Sequence, residues 1–257
     1  MRRNPAGALT VLIAAAVPIV LLGNALWLLV NPWLVDVQYA LPGFPDEPAL
    51  SDAARKDLAV TGIDSVRPWG GGVELLREAR LPSGDPAFTE REIQHMEDVR
   101  GLLAAFLTVW AISLGIAIAA ALALRRIAGP GSIERALGRG AIVSLVAIAV
   151  IGLVMLVNFE FFFDGFHGIF FEGDSWRFNE TYTLRQLYPD YFWAVAGGGA
   201  AALVLLQAAA MLAVVRRRAN HGRTPGSRLR RQSRSQAAAD SSRGSELPLQ
   251  MGRPGDR

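Results

Sequence analysis

Four long runs of apolar residues divide the chain, and polar or charged residues fill the segments between them. Each run is long enough for a helix that crosses the hydrocarbon core of a bilayer, which takes about 20 residues. The first run is longer than the roughly 7 to 15 apolar residues of a cleaved signal sequence, so we interpret it as a retained span. The predicted spans are residues 9–30, 102–124, 141–163 and 191–215.

The segments outside the spans complete the predicted organisation. We expect a short N-terminus (1–8), a connection between spans two and three (125–140), two segments on the opposite side (31–101 and 164–190), and a disordered basic tail (216–257). Within 31–101, residues 34–39 alternate as a short strand would, 49–60 permit a short helix, and 67–72 read as a turn. The pattern therefore predicts an all-α polytopic membrane protein with four transmembrane helices and a small cap of mixed short helix and strand.

A helix start is predicted just before the second span. Thr89 followed three residues later by Glu92 is a capping box, and Phe88 with Ile93 fits the hydrophobic staple that accompanies one. The helix should begin at about residue 90 and continue directly into the span. His95 then lies roughly 10 Å above the apolar core, at headgroup depth.

The stretch FFFDGFHGIFFEGDSWRF, residues 161–178, crowds aromatic side chains around a second histidine at the end of the third span. Asp164 and Gly165 predict that the span breaks there, with an irregular, interfacial segment after it. His167 is placed at about the depth of His95. Spans two and three are joined by a short connection, so their ends on this side should meet.

Charge fixes the expected orientation. The net charge of +3 conceals Arg-rich segments before span one, between spans two and three, and after span four. By the positive-inside rule both termini are cytoplasmic, and the two acidic segments with their histidines lie at the outer surface. The chain is 51% hydrophobic and 19% charged and has 0 cysteines, so thiol chemistry is excluded. Acidic outer segments do not indicate nucleic-acid binding.

The two histidines allow three interpretations. They are part of an aromatic belt, they hold a metal together with a carboxylate, or they serve as general base and as proton donor or charge stabiliser. No metal-binding spacing of the HExxH type is present, so the metal hypothesis depends on residue type alone. For the acid–base hypothesis, a carboxylate would orient a ring nitrogen, and the supporting candidates are Asp98, Asp164 and Asp174.

The two histidine segments also carry a resemblance. EIQHMEDVRGL, FHGIFFEGDSWRF and the following LRQLYPDYFW resemble the DUF1461 family of membrane proteins, which includes lipoprotein intramolecular transacylases. The resemblance covers about residues 8–215. It implies an acyltransferase that moves the sn-2 acyl chain of a diacylglyceryl-modified lipoprotein to the amine of its own N-terminal cysteine.

By the same resemblance His95 and His167 match the family's two catalytic histidines, with no cofactor and no metal. The partners implied are diacylglyceryl-modified lipoproteins and membrane lipid, in a bacterial-type plasma membrane. A metal-dependent lipid or lipoprotein ester hydrolase and a non-catalytic membrane partner protein are the alternatives. The substrate-binding candidates are Phe166, Phe170 and Phe171 for acyl chains or glyceryl carbons, and Trp176 and Arg177 for the substrate head.

Overall fold

The computed structural model describes residues 4–221, and this part of the chain is almost entirely helical. Four of its helices, α1, α5, α6 and α9, are long and apolar enough to cross a membrane, which confirms the predicted all-α polytopic fold. In chain order the helices are α1 Pro5–Leu29, α2 Trp33–Tyr39, α3 Asp52–Val66, α4 Glu74–Glu78, α5 Glu90–Ala128, α6 Pro130–Val157, α7 Phe159–Phe170, α8 Thr183–Leu187 and α9 Asp190–His221.

Helix α1 packs against both α5 and α6 in the membrane-spanning part. Its buried face repeats every four residues, at Ile13, Val17, Leu21 and Ala25. A β-carbon at Gly140 would lie 2.6 Å from Cβ of Val17, so only glycine allows α6 this close to α1.

Where α5 ends and α6 begins, the two helices extend beyond the predicted spans. The predicted connection 125–140 is helical except for Gly129, whose φ of 74° turns the chain between α5 and α6. Pro130 then occupies the first turn of α6, where its missing N–H costs no hydrogen bond. The compact unit Met1–Val215 is followed by a second unit, Arg216–Arg257, of which residues 216–221 are helical. The rest of the predicted disordered tail lies outside the described residues.

The cap between α1 and α5 consists of short helices, and the strand expected at residues 34–39 is wrong. These residues form α2, which buries Leu34, Val35 and Gln38, the one-face spacing of a helix. Over only six residues, an alternation of apolar and polar side chains does not distinguish a strand from a helix. Helix α3 begins after Ser51, whose side chain accepts from the Ala54 amide, and it ends later than the predicted 49–60.

Two arginines hold the cap by donating to backbone carbonyls. The buried guanidinium of Arg55 donates to the carbonyls of Pro45 and Gln186, which ties α3 to the segment before α9. Arg100, on α5, donates to the carbonyls of Ser65 and Arg67 at the end of α3. These charge-assisted bonds fix the cap on the N-terminal part of α5, where His95 lies.

The break after the third span occurs at Asn158, not at Asp164–Gly165 as the sequence predicts. Asn158 is extended (φ −155°, ψ 93°), and its side chain accepts from the amide of Phe161, which caps the new helix α7. Gly165 lies in the interior of α7 with open space around it. The segment that carries His167 is therefore an amphipathic helix with no fully buried residue, as an interfacial helix requires.

Candidate active site

His95 is held in place by the first turn of α5. The capping box is present: Thr89 accepts from the Glu92 amide, and the Glu92 carboxylate accepts from the Thr89 amide at 2.8 Å. The other oxygen of Glu92 accepts from the amide of Leu184, also at 2.8 Å, so this carboxylate connects α5 to α8. Glu92 is 1% exposed. His95 lies in the next turn of α5 and is 8% exposed.

His167 lies on α7 and is oriented by the backbone of its own helix. Its Nδ1 is 2.8 Å from the carbonyl oxygen of Phe163, one turn earlier. A carbonyl only accepts, so Nδ1 carries the proton and donates, which leaves the lone pair on Nε2. The Phe163 ring also packs against the imidazole, with 4.0 Å between centroids. This histidine therefore has a defined tautomer, and its basic nitrogen is Nε2.

The two histidine rings lie next to each other. Their centroids are 6.1 Å apart, and the ring planes are inclined by 30°. Phe171 lies within ring-contact distance of both, 5.0 Å from His95 and 5.5 Å from His167. Trp176 stacks on His167 at 4.7 Å, and Phe178 contacts His95 at 5.4 Å. Two imidazoles, one near the start of α5 and one near the end of α7, thus share one aromatic enclosure.

Burial keeps both imidazoles neutral. Both groups lie outside the apolar spans, His95 before residue 102 and His167 beyond the end of α6. Desolvation, with a smaller contribution from the nearby His167, lowers the pKa of His95 to about 4, against a small opposing effect of Asp98. Burial also lowers the pKa of His167, although the Phe163 carbonyl and Asp164 oppose it. The Phe163 carbonyl, which accepts from Nδ1, favours the protonated form of the His167 ring, and His95 has no such bond to its Nδ1.

The carboxylates expected to orient a ring nitrogen contact other groups. Asp98 is exposed and accepts from the Gln94 side chain at 3.2 Å. Asp98 comes three residues after His95 and therefore lies about 60° away from it around the axis of α5, which places it outside the buried face. Asp164 and Asp174 both pair with Arg177, at 3.4 and 3.3 Å. They position this arginine, and the Phe163 carbonyl orients His167 in their place.

The aromatic residues predicted to bind substrate differ in burial. Phe171 and Trp176 are buried beside the histidines. Phe166 and Phe170 are largely exposed on α7, with ring contacts to each other at 4.9 Å. The guanidinium of Arg177 lies 4.9 Å from the Trp176 ring centroid. The first pair therefore encloses the histidines, and the second pair is exposed on α7.

Arg91 is a residue that sequence reasoning missed. Its guanidinium donates to the carbonyls of Asp174 and Arg177, which joins the start of α5 to the segment after α7. It also lies over the ring of Phe178, 5.4 Å from the centroid. Arg91 directly precedes the segment EIQHMEDVRGL, but its partners are backbone atoms of a distant segment, so no side-chain pattern indicates the contact. It closes the enclosure on the side of the cap.

A metal centre would need more donors than the two histidines. Within residues 4–221, no three side chains of the His, Cys, Asp or Glu type come together in a group that could hold a metal ion. The carboxylates nearest to the histidines are paired with Arg177 or with Gln94, as described above.

One family model and one relative each match about two thirds or more of this chain. A family model described as lipoprotein intramolecular transacylase Lit matches residues 11–193. An uncharacterized protein of Aquifex aeolicus (strain VF5) is 32% identical over 178 residues, which cover 68% of this chain and 78% of that protein.

Solved structures of the membrane-integral lipoprotein intramolecular transacylase Lit from Bacillus cereus have the same fold. One aligns with a TM-score of 0.71 and 18% identity, and it covers 85% of this chain and 97% of that chain. A form of that enzyme with one histidine replaced by alanine aligns with a TM-score of 0.68 and 19% identity, and it covers 85% of this chain and 95% of that chain.

Proposed function

This chain belongs to the lipoprotein intramolecular transacylase Lit family, and we propose that it moves the sn-2 acyl chain of a diacylglyceryl-modified lipoprotein to the α-amino group of that molecule's N-terminal cysteine. The observation that carries the proposal is the pair of imidazoles, 6.1 Å apart, within one aromatic enclosure. Amine and ester belong to the same lipid-modified cysteine, so the enzyme mainly orients the two groups and transfers a proton.

His167 is the general base. Its Nδ1–H is engaged by the Phe163 carbonyl, which leaves the Nε2 lone pair to receive a proton from the amine as it attacks the ester carbonyl. The nitrogen–acyl bond forms, and the bond between the acyl carbon and the sn-2 oxygen breaks. The imidazolium then gives the same proton to the departing glyceryl oxygen. No net proton is gained or lost.

His95 stabilises the charge that develops on the carbonyl oxygen. With a pKa of about 4 it is neutral at physiological pH, so it acts as an N–H donor and not as a cation. A fixed donor in a water-poor site stabilises an oxyanion more strongly than water does. His95 on α5 thus faces the carbonyl oxygen, and His167 on α7 faces the amine.

The surroundings favour the reactive form of the substrate. An α-amino group has an ordinary pKa of about 8, so part of it is already neutral at pH 7. The aromatic enclosure of Phe171, Trp176 and Phe178 disfavours the ammonium form further through desolvation. The exposed rings of Phe166 and Phe170 are placed to contact acyl chains on the lipid side.

We place the site at the outer surface of the plasma membrane, with both termini in the cytoplasm. The arginines at positions 125, 126, 135 and 139 lie near the junction of α5 and α6. His95 is at the other end of α5, and α7 with His167 follows the other end of α6. A diacylglyceryl-modified lipoprotein in the outer leaflet would therefore present its cysteine at the level of the enclosure.

The test uses the full chain in liposomes with a synthetic diacylglyceryl-cysteinyl lipopeptide. Transfer within one molecule leaves the total mass unchanged, so the product is identified by tandem mass spectrometry of the N-acylated cysteine and by loss of the reactive amine. A mixture of lipopeptides with labelled and unlabelled acyl chains should give no crossed product. Release of free fatty acid would indicate a hydrolase instead.

The variants His95→Ala and His167→Ala should each lower the rate by about 10² to 10⁴, the usual contribution of a positioned acid–base group. His221→Ala is the matched control, because this third histidine lies at the end of α9 and not at the predicted outer surface. Full activity in both site variants would refute the two-histidine mechanism.

A further inference from the structure

The buried indole of Trp176 has a donor that bonds to nothing in the described part of the chain. Trp176 is 6% exposed, and its Nε1 is buried without a hydrogen-bond partner among residues 4–221. Other indoles of this protein have partners: Trp33 donates to the Leu28 carbonyl at 3.2 Å, and Trp110 donates to the Asn24 side chain at 3.1 Å. Buried donors without a partner are rare and require an explanation.

The packing around Trp176 fixes the direction of this N–H. The indole stacks on the His167 ring at 4.7 Å and meets the Phe163 ring edge-on at 6.1 Å. The guanidinium of Arg177 lies 4.9 Å from the ring centroid and is itself held by Asp164 and Asp174. A side chain with these contacts cannot rotate freely to find another acceptor. The N–H is preorganised next to the general base.

A second buried nitrogen in the enclosure has the same property. Nδ1 of His95 is also buried without a partner among the described residues. The rings of His95 and Trp176 both neighbour the His167 ring, at 6.1 and 4.7 Å between centroids. Two unpartnered nitrogens on side chains more than nine-tenths buried, in contact with one base, indicate a bound group that accepts two hydrogen bonds.

We propose that Trp176 is a catalytic residue whose Nε1–H donates to the carbonyl oxygen of the sn-2 ester and, together with His95, holds the oxyanion of the tetrahedral intermediate. The inference rests on the proposed function. It adds the second donor of an oxyanion hole and identifies the bound acceptor as an ester carbonyl.

The chemistry of an indole suits this role. Its N–H is a donor only and has no lone pair to accept a bond, so it cannot compete with His167 for the proton of the amine. The attacking nitrogen adds to the carbonyl carbon, and the carbonyl oxygen takes the electron pair and then returns it as the glyceryl oxygen leaves. Trp176 stays neutral and forms no covalent bond in this step.

The test compares Trp176→Phe with the wild type in liposomes, with the diacylglyceryl-cysteinyl lipopeptide as substrate. Loss of one oxyanion-hole donor lowers kcat by about 10² to 10³ in other enzymes. We expect a loss of at least about 10-fold in kcat with less than about 3-fold change in KM, because the bond strengthens as the oxyanion forms. The melting temperature is measured alongside, because phenylalanine fills less of the buried indole site and lowers stability through packing alone. Trp33→Phe removes an indole donor that bonds to the Leu28 carbonyl and should keep full activity.

Replacing Trp176 with 3-benzothienylalanine covers the case in which phenylalanine fails to fold there. This residue keeps the shape of the indole and replaces the N–H with sulfur, so the same loss of kcat is expected. Full activity with benzothienylalanine, or with phenylalanine, would overturn the role of Trp176 and leave the transacylase assignment intact. A wild-type protein that produces no N-acyl product would instead refute the proposed function.

Discussion

Glu92 offers the sharpest test of how the structure holds the site, through the variant Glu92→Ala. The carboxylate accepts from the amides of Thr89 and Leu184 and from the hydroxyl of Thr89, at 2.8, 2.8 and 2.9 Å. Its removal leaves two backbone N–H groups without an acceptor. The buried donor at Leu184 costs about 1 to 3 kcal/mol when orphaned and the part-buried donor at Thr89 costs less, so the free energy of unfolding should fall by roughly 1 to 5 kcal/mol.

The assay is SDS titration of the detergent-solubilised protein, followed by the fluorescence of its 6 tryptophans. Glu90→Ala is the control: this residue lies in the same helical turn, but its ion pair with Arg77 is exposed and should contribute little to stability. Glu92→Gln keeps one carbonyl oxygen and should lose less than Glu92→Ala.

Activity should fall with stability in this variant, because His95 lies one turn beyond Glu92. The bond to Leu184 is what joins this turn to α8, and the Thr89 bonds fix where α5 begins. A loss of stability no larger than that of Glu90→Ala would contradict the reasoning. It would mean that water or neighbouring groups replace the carboxylate at no cost.

Three further outcomes are expected. The pKa of His95 is 6.5 in the unfolded chain and about 4 in the folded protein, so the unfolded chain binds a proton first as the pH falls. The free energy of unfolding should therefore decrease between pH 6.5 and 4, by up to roughly 3 kcal/mol. The variant His95→Gln should flatten the pH dependence of the SDS midpoint over this range. Gly140→Ala should lower the melting temperature by several degrees, because the added Cβ would lie 2.6 Å from Cβ of Val17. Gly115→Ala is the control and should not lower it, because Gly115 has open space around it. Equal melting temperatures for the two variants would contradict the close packing of α1 and α6. Asp98→Ala should keep the transacylation rate within about 3-fold, because Asp98 is exposed, bonds to Gln94 and has only a small effect on the pKa of His95. A loss beyond about 10-fold would restore it as an orienting residue.

The start of α5 was predictable because its signal is local. Thr89 and Glu92 are three residues apart, and the bonds between them need no other part of the chain. The second bond of Glu92, to Leu184, was not predictable, because it joins backbone and side chain across 92 positions. The same limit applies to Arg91, whose acceptors are carbonyls after α7.

The third span shows where composition misleads. Asp164 and Gly165 are poor helix formers, yet the helix passes through them and the break lies at Asn158. An asparagine cap needs only a local side-chain bond, which its position inside a hydrophobic run does not exclude. The tautomer of His167 depends on this result, since its donor reaches the Phe163 carbonyl only in a helix.

The continuity of α5 makes the site sensitive to bilayer thickness. This helix runs unbroken from Glu90 to Ala128, about 58 Å, so a change in its tilt moves His95 along the membrane normal. His167 lies on α7, which Asn158 separates from α6, and we expect this amphipathic helix to stay with the headgroup layer instead. A thicker or thinner membrane should therefore slide one imidazole past the other. We expect transacylation in liposomes to be fastest at one lipid chain length and to decline on both sides of it.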